Sequence, residues 1–457
     1  MYDFKKCVLG VAPTRRDVFP GNRGGEIMKR VRELAGKYGV SLVTIEDVTR
    51  EGLLVTNDEI PKIAEHFRAG GVDAVFVPHA NFGQEEAVAK LCRELGKPVL
   101  LWGPRDPAPK GVVDQLEDRA YDVQCGLFAT GKALLTYDVP FTYIENCWID
   151  SPALDKGFDS FIRVVCAAKA LKGARAAQLS VRPWQFLTVK CNEAELLEKF
   201  GVEIVPIETT DLIKEIEGIL KNESGPVGQK IAEWNQKLDL SAQSGEEQRK
   251  LASAVLAVKR LAERHGCRVA AGECWTMLQT AFGINACFVW GALFDEGLPV
   301  TCETDILGAL GCGMMAGAVR GDTVPFFADI TVRHPTNDNA ELLWHCGPFP
   351  PSLAREARPG VVGCKGQFEI EGGDITLIRM GSLKGKYTMF ADEVRGVDGP
   401  KTNGTYVWIE TDDWPKWERK FVTGPYIHHV TGAHGKYREI IHEALKYVGD
   451  IAPDRIG

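Results

Sequence analysis

The chain has 457 residues, of which 45% are apolar and 25% charged, a balance typical of globular proteins and too long for one ordinary core, so two or three domains are expected. Its net charge of −8 is dispersed and no basic block is present, which argues against a nucleic-acid partner. No uncharged apolar run approaches the length of a membrane span, and the start "MYDFKKCVLGV" lacks the apolar core of a secretion signal, so no membrane association is expected. Thirteen cysteines are scattered singly without a CxxC pair, and the odd count reads as reduced thiols, hence a cytoplasmic location.

Taken in chain order, "KKCVLGVAP" reads as a strand and "GGEIMKRVRELAGKYG" as a helix closed by Gly39. "VSLVTIE", "VDAVFVPHA" and "PVLLWGP" continue the strands, with "NDEIPKIAEHFRAGG" and "GQEEAVAKLCRELGK" as helices between them. Continuous apolar strands alternating with amphipathic helices mark a parallel sheet covered on both faces, a doubly wound α/β domain over 1–172. Loops after such strands form its binding edge, which places Arg16, His79, Asn81 and Trp102 there.

A second series begins near Ala174. "ARAAQLSVRP", "VEIVPIE", "CRVAAGECW", "LPVTCET" and "VPFFADI" read as five strands of a second doubly wound domain, 173–331, with the helix "EEQRKLASAVLAVKRLAERHG" among them. From 332 to 457 the pattern turns to alternation and glycine-rich turns, as in "QFEIEGGDITLIRM", "KYTMFADEVRG" and "TYVWIETDD", which predicts a mainly antiparallel β domain ending in the helix "KYREIIHEALKYVG". This last region carries six of the nine histidines.

Two apolar runs end on acids: "PVTCETD" on Glu303 and Asp305, and "VPFFADI" on Asp329. An ionised carboxylate among buried residues needs a partner, a proton or a metal. Glu303 also reads as an ordinary acid in a first helical turn, Asp305 as a helix cap, and Asp329 as a polar strand end. If the "LLWHCGPF" and "GPYIHHVTGAHG" segments fold over the same crevice, His345 and one of His428 and His429 join the two carboxylates. Neighbours on a strand face apart, so one member of that pair ligates at most. Such an oxygen and nitrogen set, open to substrate, suits Mn²⁺ or another divalent cation better than a closed structural zinc site. Trp275, Trp414, Trp417 and Tyr426 read either as core residues or as a face on which a sugar stacks. No nucleotide-binding glycine loop and no GxSxG elbow is present.

The order "TCETDILGALG", "PFFADIT", "LLWHCGPFPPSLA", "YIHHVTGAHG" resembles the active-site series of the L-fucose and L-arabinose isomerase family. The resemblance implies an aldose–ketose isomerase working through a cis-enediol. Glu303 and Asp329 then match the metal-binding and acid–base carboxylates, and His345 a histidine of the arabinose branch. His428 is the fucose-branch and His429 the arabinose-branch choice for the last ligand. The resemblance also implies a trimer or hexamer with a pocket shared between subunits, to which Arg16, His79, Asn81 and Trp102 contribute. A sugar-binding protein without chemistry, or a metal-dependent lyase or epimerase, are the competing functions.

Overall fold

A computed structural model describes residues 1–107 and 120–456. The chain forms two compact units, one of residues 5–166 and one of 1–4 with 167–457, and the break falls inside the long helix Pro152–Leu171.

In the first unit, strands β1 (Val8–Val11), β2 (Ser41–Thr44), β3 (Ala74–Pro78), β4 (Val99–Trp102) and β5 (Phe141–Tyr143) form a parallel sheet in the order β2-β1-β3-β4-β5. β3 and β4 are buried throughout, as expected of continuous apolar runs covered on both faces. Helix Gly24–Tyr38 stops at Gly39, whose φ of 62° closes the last turn without a Cβ penalty.

In the second unit, β6 (Arg175–Leu179), β7 (Glu203–Ile207), β8 (Val269–Gly272) and β9 (Val300–Thr301) form a parallel sheet in the order β7-β6-β8-β9. The helix Gly245–Arg264 starts in a capping box in which Ser244 and Glu247 satisfy each other's backbone. The remaining strands are β10 (Phe326–Arg333), β11 (Ala340–His345), β12 (Gly360–Val362), β13 (Lys365–Glu369), β14 (Gly373–Leu383), β15 (Lys386–Val397), β16 (Thr405–Glu410), β17 (His429–His434) and β18 (Ile451–Asp454). They make a nine-stranded, mainly antiparallel sheet in the order β12-β13-β16-β11-β10-β17-β14-β15-β18. Two parallel sheets followed by an antiparallel one is the architecture read from the sequence.

One strand changes sheets. "VPFFADI" was expected as a fifth strand of the second parallel sheet; it is β10, antiparallel to β11 and β17. The reason lies in the helix before it, Ile306–Val319, "ILGALGCGMMAGAV", in which every residue is buried. A helix apolar on all sides needs cover on all sides. It packs between β8 and β9 of one sheet and β14 and β17 of the other, so the strand leaving it joins the far sheet. Its glycines permit the approach: a Cβ on Gly313 would lie 2.8 Å from Val269 Cγ1, and one on Gly308 2.7 Å from the Phe327 ring.

Candidate metal and active site

β9 ends at Thr301 and the helix begins at Ile306, which leaves a four-residue corner, Cys302 to Asp305. Glu303 and Thr304 take the left-handed conformation, with φ of 53° and 57°. Two successive non-glycine residues there are uncommon and mark a strained corner. The corner is held by Thr304 N–H donating to Gly272 O (3.1 Å) and by Thr301 Oγ1 donating to Asp305 O (2.8 Å). It turns the Glu303 side chain inward, where it is only 7% exposed.

Asp329 lies within β10 and is the direct cross-strand neighbour of His429 at the start of β17. His345 ends β11 and is 3% exposed. These elements bring four side chains together. His429 Nε2 is 3.6 Å from Glu303 Oε2 and 3.5 Å from Asp329 Oδ1; His345 Nε2 is 3.7 Å and 3.9 Å from the same two oxygens. All four atoms are buried and none has a hydrogen-bond partner. Buried polar atoms are rarely left unpaired, and four that face one another ask for a shared partner.

Glu303 and His429 are oriented from behind. Trp275 Nε1–H (3.1 Å) and the Cys274 thiol (3.4 Å) donate to Glu303 Oε1, leaving Oε2 for the centre. His429 Nδ1 is 2.8 Å from Asp305 Oδ2, and Asp305 is gripped by the two terminal guanidinium nitrogens of Arg379. With an ionised Asp305, Nδ1 of His429 carries the proton and Nε2 presents a lone pair, the arrangement of a carboxylate-oriented metal ligand. Asp305 Oδ1 also accepts from Gly308 N–H, so the helix-cap role read from the sequence is present beside the one toward His429. Burial pushes the Asp305 carboxyl up, but Arg379 and then His429 hold it well below the usual carboxylate range. Burial likewise opposes ionisation of Glu303, and His345, His429 and Trp275 outweigh it, holding the group below its ordinary value. His345 is kept well above an ordinary histidine against the effect of burial, first by Asp329 and then by Cys346 and Glu303.

His428 and His429 do face apart. The His428 side chain is 44% exposed, with Nε2 3.9 Å from Asp329 Oδ1, whereas His429 is 1% exposed. Phe186 stacks on the His429 ring at 5.7 Å and meets Trp275 edge-on at 5.4 Å, forming an apolar wall beside the donors.

The aromatic residues divide. Trp275 borders the donor cluster, but its indole N–H is used on Glu303. Trp414 and Trp417 are buried in the core of the large sheet, and Tyr426, also buried there, bonds Asp454 (2.6 Å) and Thr388 (3.0 Å) through its hydroxyl; none of the three offers a free stacking face. In the first unit Trp102 is fully enclosed, with its N–H on Cys147 Sγ, and therefore fills core instead of lining a binding edge. Asn81 is buried and used in tying its loop: Oδ1 accepts from Arg16 and Gly83 N–H, and Nδ2 donates to the carbonyls of Arg16, Phe19 and Gly21. Arg16 bonds Gly83 O and Glu85. His79 is buried with Nδ1 on Phe82 O and Nε2 unpartnered.

Residues 10–172 match the family model for the fucose/sulfoquinovose isomerase N-terminal domain. A sulfoquinovose isomerase from Alkalicoccus urumqiensis is 25% identical over 346 residues, covering 74% of this chain and 75% of its own. One from Priestia aryabhattai is 22% identical over 372 residues, covering 79% and 81%. The chain is an enzyme similar to the sulfoquinovose isomerases, and its residues 10–172 match their family's N-terminal domain. Among solved structures, a periplasmic solute-binding protein from Actinobacillus succinogenes with bound D-allose aligns over 59% of the enzyme and 77% of its own chain at 15% identity; its TM-score of 0.17 gives it no weight. No helix among the enzyme's described residues is long and apolar enough to cross a membrane.

Proposed function

We propose that the enzyme interconverts an aldose and a ketose, using a divalent cation held by Glu303, Asp329, His345 and His429. The observation that supports this most is the set of four buried, unpartnered atoms on those residues, each imidazole nitrogen 3.5 to 3.9 Å from both carboxylate oxygens. Two carboxylate oxygens and two imidazole nitrogens are a donor set for Mn²⁺ or a similar ion, with positions left for substrate oxygens. When bound, the ion supplies Lewis-acid polarisation of a carbonyl and makes a neighbouring hydroxyl more acidic.

The chain's own groups do the rest. One carboxylate takes the proton from the carbon beside the sugar carbonyl, giving a cis-enediol, and the pair delivers a proton to the adjacent carbon. Trp275 and Cys274 hold Glu303 in one orientation for this, and Asp305 does the same for His429. Phe186 limits water beside the reacting carbons. His428 is assigned no ligand role: it is the exposed member of the pair, and burial and the neighbouring His429 push its pKa down. Sulfoquinovose, the sugar in the relatives' names, is the first substrate to test. The same reading places the enzyme in the cytoplasm as a trimer or hexamer whose pocket is shared between subunits, and the domain divisions near 172 and 331 belong to it.

The test is to chelate the enzyme, resupply single divalent ions, and offer aldoses and ketoses, sulfoquinovose among them, in deuterated water. The expected result is no turnover after chelation, recovery with Mn²⁺, and deuterium beside the new carbonyl. Undiminished turnover in demonstrably metal-free enzyme would refute the ion's role. Sugar binding without product favours a binding protein, and an epimer or cleaved product a different reaction class.

A further inference from the structure

Behind the donor cluster lies a group of thiols that the isomerase reading does not use. Cys287 opens the helix Cys287–Asp295 and is 3% exposed; Cys346 directly follows His345 and is partly open to solvent. Their sulfurs are 3.1 Å apart, close enough that one hydrogen bond already joins them. Cys346 Sγ is also 3.3 Å from His345 Nδ1, and its backbone N–H lies 2.9 Å from the same nitrogen. Cys302, wholly buried, is within hydrogen-bond reach of Cys346 on another side.

We propose that Cys287 and Cys346 are an oxidation site, closed to a disulfide by a peroxide, and that closing it weakens the hold of His345 on a cation. The Cys346 sulfur attacks one peroxide oxygen, its thiol proton passes to the departing oxygen as the O–O bond breaks, and a sulfenic acid and water result. Cys287 then attacks that sulfur, the S–S bond forms, the S–O bond breaks, and a second water leaves. Two thiols and one hydrogen peroxide thus become one disulfide and two waters, with two electrons passing from sulfur to oxygen. Cys346 is the attacking partner because it is the accessible one. A disulfide bond is about 2.05 Å long, so the sulfurs need to approach by only about 1 Å. That movement draws Cys346 toward Cys287 and away from the imidazole nitrogen it now touches, and His345 loses an anchor behind the ring.

The test treats the intact enzyme with hydrogen peroxide and maps its peptides by mass spectrometry without reduction. A Cys287–Cys346 crosslink with loss of two hydrogens is expected. So are a roughly tenfold weaker Mn²⁺ affinity by electron paramagnetic resonance, the scale typical of losing a group behind a ligand, and its return on adding dithiothreitol. Cys287→Ser, with Cys287→Ala as a second variant, should keep the starting Mn²⁺ affinity, form no crosslink, and leave a sulfenic acid on Cys346 that dimedone traps. Absence of the crosslink, a Cys302–Cys346 crosslink in its place, or a crosslink that leaves Mn²⁺ affinity unchanged would each overturn the proposal. The crosslink is read without turnover, so its failure is separable from failure of the isomerase reading on which the cation's identity rests.

Discussion

The carboxyl ends of the two parallel sheets make opposite use of their polar residues. After β1 and β3 of the first unit, Asn81 ties three loop carbonyls and two backbone N–H groups, and Arg16 binds a carbonyl and Glu85, so these groups satisfy one another. After β9 of the second unit, Glu303 is oriented through one oxygen only, and its other oxygen faces three more atoms without partners. Both edges hold buried polar side chains, so burial alone does not mark a site. What distinguishes them is unused bonding capacity directed at a common point.

The sharpest way to break this contrast is Glu303→Gln. It keeps the shape of the side chain but removes the charge and a proton carrier, and turnover should fall by about 10³-fold, within the range for losing an acid–base group, while circular dichroism stays that of the wild type. A variant within tenfold of the parent would remove Glu303 from the chemistry.

One exception in the first unit is His79, whose Nε2 is buried without a partner. Burial lowers its pKa from 6.5 to about 4. The unfolded chain therefore takes up the proton first as pH falls, so stability is steady above pH 6.5, declines toward pH 4, and has then lost about 3 kcal/mol from this residue. Urea unfolding at several pH values should show the decline, and His79→Gln should flatten it; an equal slope in both would show that Nε2 is satisfied in solution.

A smaller effect tests the orientation of Glu303. Trp275→Phe keeps the ring beside Phe186 but removes the N–H on Oε1, and kcat should drop about tenfold, as for a hydrogen bond to a charged group of roughly 1.5 kcal/mol, with the fold intact. An unchanged kcat would mean that the corner alone positions the carboxylate.

Much of the fold was legible because strands buried on both faces and amphipathic helices leave distinct periodicities, from "VDAVFVPHA" to "GQEEAVAKLCRELGK". β10 was misplaced because its apolar start is the same in either kind of sheet; the cue lay upstream, in a helix with no polar face. In the candidate site, acids after apolar runs drew attention to Glu303 and Asp329, but Asp305 read as a cap because its bond to His429 spans 124 positions. Arg379 was a missed signal: an arginine within "DITLIRMGSL" needs a buried carboxylate, and Asp305 is it. Trp275 was noted for its ring, while its N–H is what meets Glu303.

The place of β17 between β10 and β14 governs when such a centre can exist. His429 stands on a strand that follows β10 to β16 in the chain, yet that strand must slot between two of them. Until it does, three of the four donors have no fourth, and β10 and β14 are unjoined. Ion capture would thus come only after β17 has joined the sheet, and an ion once held would clasp that strand to the earlier Cys302–Asp305 corner.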